Sequence, residues 1–189
     1  MTRPALKSVR NFALAAFALA LAPACLRAYK ITGISEAPTM VLGDKILVNR
    51  VAYVLSAPRR GEMVVLHFPD RPFFGPKRIV GVPGDTVEMV DNRVIVNGRM
   101  LPMRELNRAD FNWVAPANRI GSVVAEEAGR LISFTPGNPY GNHAPVHLGA
   151  GEYFMLGDNR DISADCRVWG PVHADRFMGK VIHSPARLR

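Results

Sequence analysis

Three short segments carry polar side chains that are too dense or too unusually placed for ordinary turns. The first is ISEAPTM, residues 34–40, which contains Ser35, and the second is FFGPKRIVGVPGD, residues 73–85, which contains Lys77. The third is GDNRDISADCRVWG, residues 157–170. A serine hydroxyl is a weak nucleophile that needs an adjacent base, and a lysine can be that base only when it is uncharged. A serine activated by a lysine is the chemistry that these segments could support.

The residues around Lys77 favour an uncharged lysine. Burial among apolar side chains disfavours the cation, and Lys77 lies in a segment rich in Phe, Pro, Ile and Val. On a strand, Lys77 and Ile79 share one face, whereas Arg78 points to the other. We therefore expect Lys77 to be buried and Arg78 to reach solvent or a carboxylate.

Taken together and in this order, after an apolar run, the three segments resemble type I signal peptidase, the membrane-bound Ser/Lys endopeptidase of peptidase family S26. The resemblance covers about residues 12–100 and 150–183 and leaves 101–150 unmatched, as an insertion or loop region. It implies a mainly β, antiparallel-sheet catalytic domain with one N-terminal transmembrane helix. The implied activity is that of a serine protease of protein export, which removes N-terminal signal peptides from preproteins after small residues of the Ala-X-Ala type, without metal or cofactor.

The resemblance also implies roles for individual residues. Ser35 is the expected nucleophile, with its backbone N–H as an oxyanion donor; Lys77 is the expected general base, and Ser163 is expected to hydrogen-bond and orient the lysine ammonium. The expected structural residues behind the site are Asp158, Asn159, Arg160 and Asp161, with Asp165 and Arg167 as an ion pair. The expected substrate pocket contains Ile31, Gly33, Glu36 and Pro76, with Tyr29 and Met40 as further candidates. The substrate is expected to lie extended against the strand that carries Lys77.

Four positions depart from the family pattern. Glu36 follows the nucleophile where Met is usual, and Gly33 stands where some members have a serine that assists the oxyanion. Cys166 and Ile162 replace a common Ser and a usual Asn. Glu36 is expected to lie in the rim of the leaving-group pocket or, if it is close to Lys77, to favour the charged lysine and slow the enzyme at neutral pH.

The N-terminal apolar run, Phe12–Leu26, contains no charged residue over 15 residues. This is short of the ~20 residues that span a bilayer, so a cleaved secretory signal, a lipoprotein signal ending at Cys25 and a retained anchor are all open. Basic residues before the run favour a cytoplasmic N-terminus. Because Ser35 follows the run closely, we expect an anchor over residues 1–28. The expected peptidase domain, residues 29–189, then lies on the extracytoplasmic side of the cell membrane as part of a single-pass protein.

The net charge of +8 does not indicate nucleic-acid binding. Five of the excess positive charges flank the apolar run within residues 1–30, where they belong to membrane topology. Two distant cysteines, Cys25 and Cys166, predict neither a disulfide nor a metal site. Ala144-Pro145 lies between His143 and His147, which argues against a helical metal pair.

The remaining pattern predicts strands separated by Pro- and Gly-rich turns. One exception is a possible helical turn at Val124–Leu131. The predicted strands are Lys45–Tyr53, Glu62–Phe68, Lys77–Val82, Thr86–Val90, Arg93–Asn97, Glu152–Leu156 and Phe177–His183, with Asp91-Asn92 as a hairpin turn.

Two alternatives share this fold. One is the peptidase of conjugative transfer that matures pilin by the same Ser/Lys chemistry, and the other is a membrane-anchored homologue that has lost catalysis through Glu36. A histidine-based triad is not indicated, because the chain has no Gly-x-Ser-x-Gly motif.

Overall fold

The structure is a computed structural model that describes residues 25–183. Most of the anchor predicted over residues 1–28 therefore lies outside the described residues. Strand β1, Leu26–Lys30, begins before the domain boundary predicted at residue 29. Between residues 25 and 183, no helix is long and apolar enough to cross a bilayer.

The described chain is built from short strands, one α-helical turn and several 3₁₀ turns. The first seven strands are β1, β2 (Lys45–Asn49), β3 (Met63–His67), β4 (Phe74–Gly81), β5 (Thr86–Val90), β6 (Arg93–Val96) and β7 (Arg99–Met100). The others are β8 (Met103–Glu105), β9 (Ser122–Glu126), β10 (Arg130–Phe134), β11 (His143–His147), β12 (Glu152–Leu156), β13 (Val172–His173) and β14 (Phe177–His183). Helix α1 is Cys166–Trp169, and the 3₁₀ turns are Arg108–Phe111, Pro116–Asn118, Glu127–Gly129, Pro139–Gly141 and Ala174–Arg176.

The strands form three antiparallel sheets. The largest has the order β1-β2-β14-β3-β4-β12-β13, a second has the order β11-β5-β6-β7, and the third is β10-β9-β8. The mainly β, antiparallel class predicted from the sequence is confirmed. Strands β5, β12 and β14 have the predicted bounds, and Asp91 and Asn92 both adopt positive φ, as a tight hairpin turn requires.

The segment 101–150 differs from its prediction as a loop region. It forms the third sheet and contributes β11 to the second. The helical turn predicted around Val124–Leu131 is limited to Glu127–Gly129, a 3₁₀ turn, and the residues on either side belong to strands β9 and β10. The buried, β-branched start of this segment favours a strand over a helix.

Two apolar cores lie beneath the parts of the chain that carry Ser35 and Lys77. The larger packs β3, β4 and β12 of the first sheet against β5 and β6 of the second, and includes Ile79 beside Lys77. A smaller core joins Ala37 and Val41, just after Ser35, to Phe111, Val114 and Val123 of the 101–150 segment. That segment therefore supports the Ser35 turn from below.

A buried ion pair fixes the 101–150 segment to the loop after β12. Glu126, at the end of β9, accepts hydrogen bonds from Arg160 at 3.1 and 3.2 Å, and both side chains are fully buried. On the neighbouring strand, the Ser133 N–H donates to the backbone carbonyl of Asp158 at 2.8 Å. The Ser133 carbonyl accepts from the Arg160 N–H, also at 2.8 Å. The loop at 158–160 thus extends the third sheet by one short pairing.

The buried Glu126–Arg160 ion pair predicts that substitutions of the adjacent residues Glu126 and Glu127 destabilise the fold to different extents. Glu126→Ala leaves the Arg160 charge buried without its partner and is expected to lower the free energy of unfolding by ~3–5 kcal/mol. Glu127→Ala removes a half-exposed pair with Arg130 and is expected to cost about 1 kcal/mol or less. Urea unfolding of both variants measures the difference, and equal losses would contradict the structural role of Glu126.

Candidate active site

The turn that carries Ser35 is fixed on both sides of the residue. The Asn159 N–H donates to the Ser35 carbonyl at 2.9 Å, and the Asn159 side chain donates to the Ile34 carbonyl at 3.4 Å. Downstream, the Met40 N–H donates to the Glu36 carbonyl, and the Thr39 hydroxyl donates to Asp158. These bonds leave the Ser35 side chain half-buried at the edge of a cleft.

Lys77 lies against the Ser35 hydroxyl, as predicted. Its Nζ is 2.7 Å from Ser35 Oγ, and the lysine side chain is only 1% exposed. The Phe68 ring lies 5.5 Å from Nζ and forms part of the apolar surroundings. Arg78 points to the opposite face of β4, where its guanidinium donates to both carboxylate oxygens of Asp158. The predicted alternation of a buried lysine and a paired arginine is confirmed.

Glu36 contacts both Ser35 and Lys77. Its Oε1 lies 2.7 Å from Lys77 Nζ and accepts from the Ser35 hydroxyl at 3.0 Å, while the Asp158 N–H approaches Oε2 at 3.4 Å. Burial raises the pKa of Glu36 from its ordinary value to about 7, although the Lys77 charge opposes this and the Asp158 charge adds to it. Glu36 is therefore close to Lys77, which is one of the two placements considered from the sequence.

Ser163 does not make the contact predicted for it. Its Oγ is buried, and no hydrogen-bond partner for it exists within residues 25–183. The hydroxyl packs against Gly157, where an added Cβ would lie 2.2 Å from Oγ. Glu36 contacts the amino group of Lys77 instead.

The loop after β12 is a buried polar scaffold, as expected. Asp165 and Arg167 form the predicted ion pair, with two contacts of 2.8 Å. Burial disfavours the Asp165 carboxylate, but the hydrogen bonds and charge of Arg167 outweigh this and hold the pKa of Asp165 below its ordinary value. Asp161 accepts from the N–H and hydroxyl of Thr135 and from Asn138. Cys25 and Cys166 are both free thiols.

Several residues of this scaffold were not predicted as site residues. They are Thr39, Arg78, Asn118 and Glu126, which contact Asp158, Asn159 or Arg160. The strand alternation at Lys77 was a signal for Arg78. No pattern in the sequence pairs Glu126 with an arginine 34 residues later.

A cleft of about 510 Å³ opens next to Ser35. Its lining includes all four predicted pocket residues and Tyr29, together with apolar side chains of residues 65–76. Met40 packs with Ile31 in a third apolar core and does not line the cleft. Strand β12 pairs with β4 only from Arg78 to Gly81, so within the described chain the edge of β4 at residues 74–77 has no partner strand on that side. An extended peptide could therefore add to β4 beside Lys77.

The chain is similar in sequence to known proteins. The family described as signal peptidase, peptidase S26, matches residues 6–184. A signal peptidase I of Aquifex aeolicus (strain VF5) is 31% identical over 82% of this chain and 73% of its own length. A signal peptidase IB of Staphylococcus aureus (strain COL) is 33% identical over 81% of this chain and 74% of its own length. A solved signal peptidase I from Enterococcus faecalis V583 matches 67% of this chain and 97% of its own, with 26% identity and a TM-score of 0.44.

The family match covers nearly the whole chain and includes both Ser35 and Lys77. The relatives from Aquifex and Staphylococcus align over more than two thirds of it. The chain belongs to the signal peptidase family, peptidase S26.

Proposed function

We propose that this protein is a signal peptidase that removes N-terminal signal peptides from exported preproteins, with Ser35 as nucleophile and Lys77 as its base. The observation that carries the proposal is the 2.7 Å contact between Ser35 Oγ and Lys77 Nζ at the edge of an apolar cleft. Membership of the S26 family supports the substrate class. The names of the relatives, signal peptidase I and IB, support it as well.

The geometry suits acyl transfer to serine. Ser35 Oγ attacks the carbonyl carbon of the scissile bond while its proton passes to the base at Lys77. The same proton then goes to the leaving amine nitrogen. Water hydrolyses the acyl-enzyme by the reverse proton path. The backbone N–H of Ser35 is the proposed oxyanion donor, because Gly33 offers no hydroxyl. The loop after β12 positions the Ser35 turn through the hydrogen bonds of Asn159 to the carbonyls of Ile34 and Ser35.

The substrate is proposed to lie extended between residues 31–33 and the open edge of β4. Successive side chains of an extended peptide point to opposite sides, so the first and third residues before the cut face the same wall of the cleft. Ile31 and Pro76 lie in that wall, which suits small apolar side chains such as Ala.

The domain is proposed to act at the extracytoplasmic surface of the cell membrane, anchored by residues 1–28. The apolar run Phe12–Leu26 lies within the part of the chain that the S26 family matches, and the basic residues before it favour a cytoplasmic N-terminus. The short separation between this run and Ser35 supports a position of the nucleophile near the bilayer surface, where a signal peptide emerges.

Removal of either member of the Ser35–Lys77 dyad is expected to abolish cleavage. Ser35→Ala and Lys77→Ala should each reduce kcat/KM for a model preprotein in detergent by roughly 10³-fold or more. Ser122→Ala and Lys45→Ala, at exposed positions on other strands, are matched controls with unchanged rates. Mass spectrometry of the products measures the cut site. Persistent cleavage in both dyad variants would refute the assignment, and a wild-type protein that cleaves nothing at any pH would favour the non-catalytic alternative.

The cleft also predicts which substrate positions matter. Replacing Ala by Phe at the first position before the cut should reduce kcat/KM at least about tenfold, because a large side chain does not fit a pocket for a small one. The same replacement at the second position is the control, because its side chain points away from the wall. Equal effects at the two positions would contradict the extended binding mode.

A further inference from the structure

Glu36, Ser35 and Lys77 form a closed triangle of polar contacts. Lys77 Nζ lies 2.7 Å from both Ser35 Oγ and Glu36 Oε1, and Ser35 Oγ lies 3.0 Å from Glu36 Oε1. Glu36 is 1% exposed. A carboxylate at this depth contacts the reacting hydroxyl as directly as the lysine does.

Each hydrogen bond of this triangle has a defined donor and acceptor. Lys77 Nζ donates to Ser35 Oγ, so the hydroxyl proton of Ser35 is directed at Glu36 Oε1. A group that accepts the hydroxyl proton in the ground state is in position to receive it when Oγ attacks. Lys77 then faces the oxygen on which negative charge develops.

We propose that Glu36 is a third catalytic residue, and that Glu36 and Lys77 act as one general base which accepts the Ser35 proton through Glu36 Oε1. The proposal rests on the proposed function and deepens it. The reactive form of the pair has zero net charge, either as carboxylate with ammonium or as carboxylic acid with amine.

The proton balance follows from this pairing. As the Ser35 O–H bond breaks and Oγ bonds to the substrate carbonyl carbon, the pair gains one proton and becomes Glu–COOH with Lys–NH₃⁺. When the C–N bond breaks, that proton goes to the leaving amine. In the second half, water gives one proton to the pair, and the pair returns it to Ser35 Oγ as the ester bond breaks. The pair ends in its starting state.

The charged groups around Glu36 and Lys77 are themselves paired, so we expect these two residues to exchange protons as a unit. The nearby ionisable groups are Arg78 paired with Asp158, Asp165 paired with Arg167, and the Cys166 thiol, whose pKa is raised by burial. The two ion pairs are each neutral overall. Two groups that interact this strongly share apparent pKa values, and the pKa of Glu36 at about 7 places the loss of the first proton near neutrality.

The pH dependence of kcat/KM tests this assignment, because the simpler interpretation predicts the opposite shift. If the pair is the base, the acid limb of the wild-type enzyme lies near pH 7. In Glu36→Gln and Glu36→Met, only Lys77 can lose the proton. Because the pair can lose its first proton from either group, its first apparent pKa lies no higher than that of the same lysine beside a neutral partner. The limb should therefore move up by at least about one pH unit, with roughly a tenfold loss at pH 6.5 and recovery of the rate in alkali.

If Glu36 only holds Lys77 in its charged form, its removal should move the limb to lower pH. A lower or unchanged limb in both variants overturns the proposal. Glu105→Gln, an exposed carboxylate on β8, controls for the change in net charge. The measurements use the full chain in detergent with an Ala-X-Ala peptide, and recovery of activity in alkali excludes misfolding as the cause of a loss.

A second readout does not depend on cleavage. The infrared difference spectrum of Ser35→Ala against Ser35→Ala/Glu36→Gln isolates the protonated carboxyl band of Glu36. Its disappearance with a midpoint near pH 7 supports the pair, and a midpoint near the ordinary glutamate value of about 4.3 overturns it. Because both proteins lack the nucleophile, this result separates a failure of the pair from a failure of the proposed function.

Discussion

The site depends on keeping the amino group of one lysine out of water beside a serine. A buried charge is tolerated only when partners compensate for its lost hydration. In this chain the partner is supplied by the residue next to the nucleophile, so one short turn carries both the hydroxyl and the counter-charge for Lys77. The rest of the architecture then has to hold that turn against β4.

The scaffold meets this requirement with further charges that are paired in the same way. Asp158 contacts Arg78 on the outer face of β4, Arg160 contacts Glu126, and Asp165 contacts Arg167. Each pair joins the loop after β12 to another element or closes the loop on itself. Because a half-satisfied network of buried charges is costly, these pairs impose one arrangement on the elements that meet behind Ser35.

The structural features that were predicted correctly from the sequence are local ones. Strand alternation at residues 77–79, the Asp91-Asn92 hairpin and the bounds of β5, β12 and β14 follow from patterns a few residues long. The partners of Lys77 were harder to predict, because a contact between segments that are distant in sequence depends on tertiary packing. Ser163 was expected to hold the ammonium by resemblance, and Glu36, the departure from that resemblance, makes the contact instead.

The burial of Arg160 against Glu126 has a consequence for protein engineering. Arg160 lies in the loop behind the nucleophile, and its charge is compensated by a carboxylate at the end of β9 in the 101–150 segment. Shortening that segment in this chain would therefore remove the partner of Arg160 and leave its charge buried. A graft of either part alone into another scaffold would carry an unpaired buried charge.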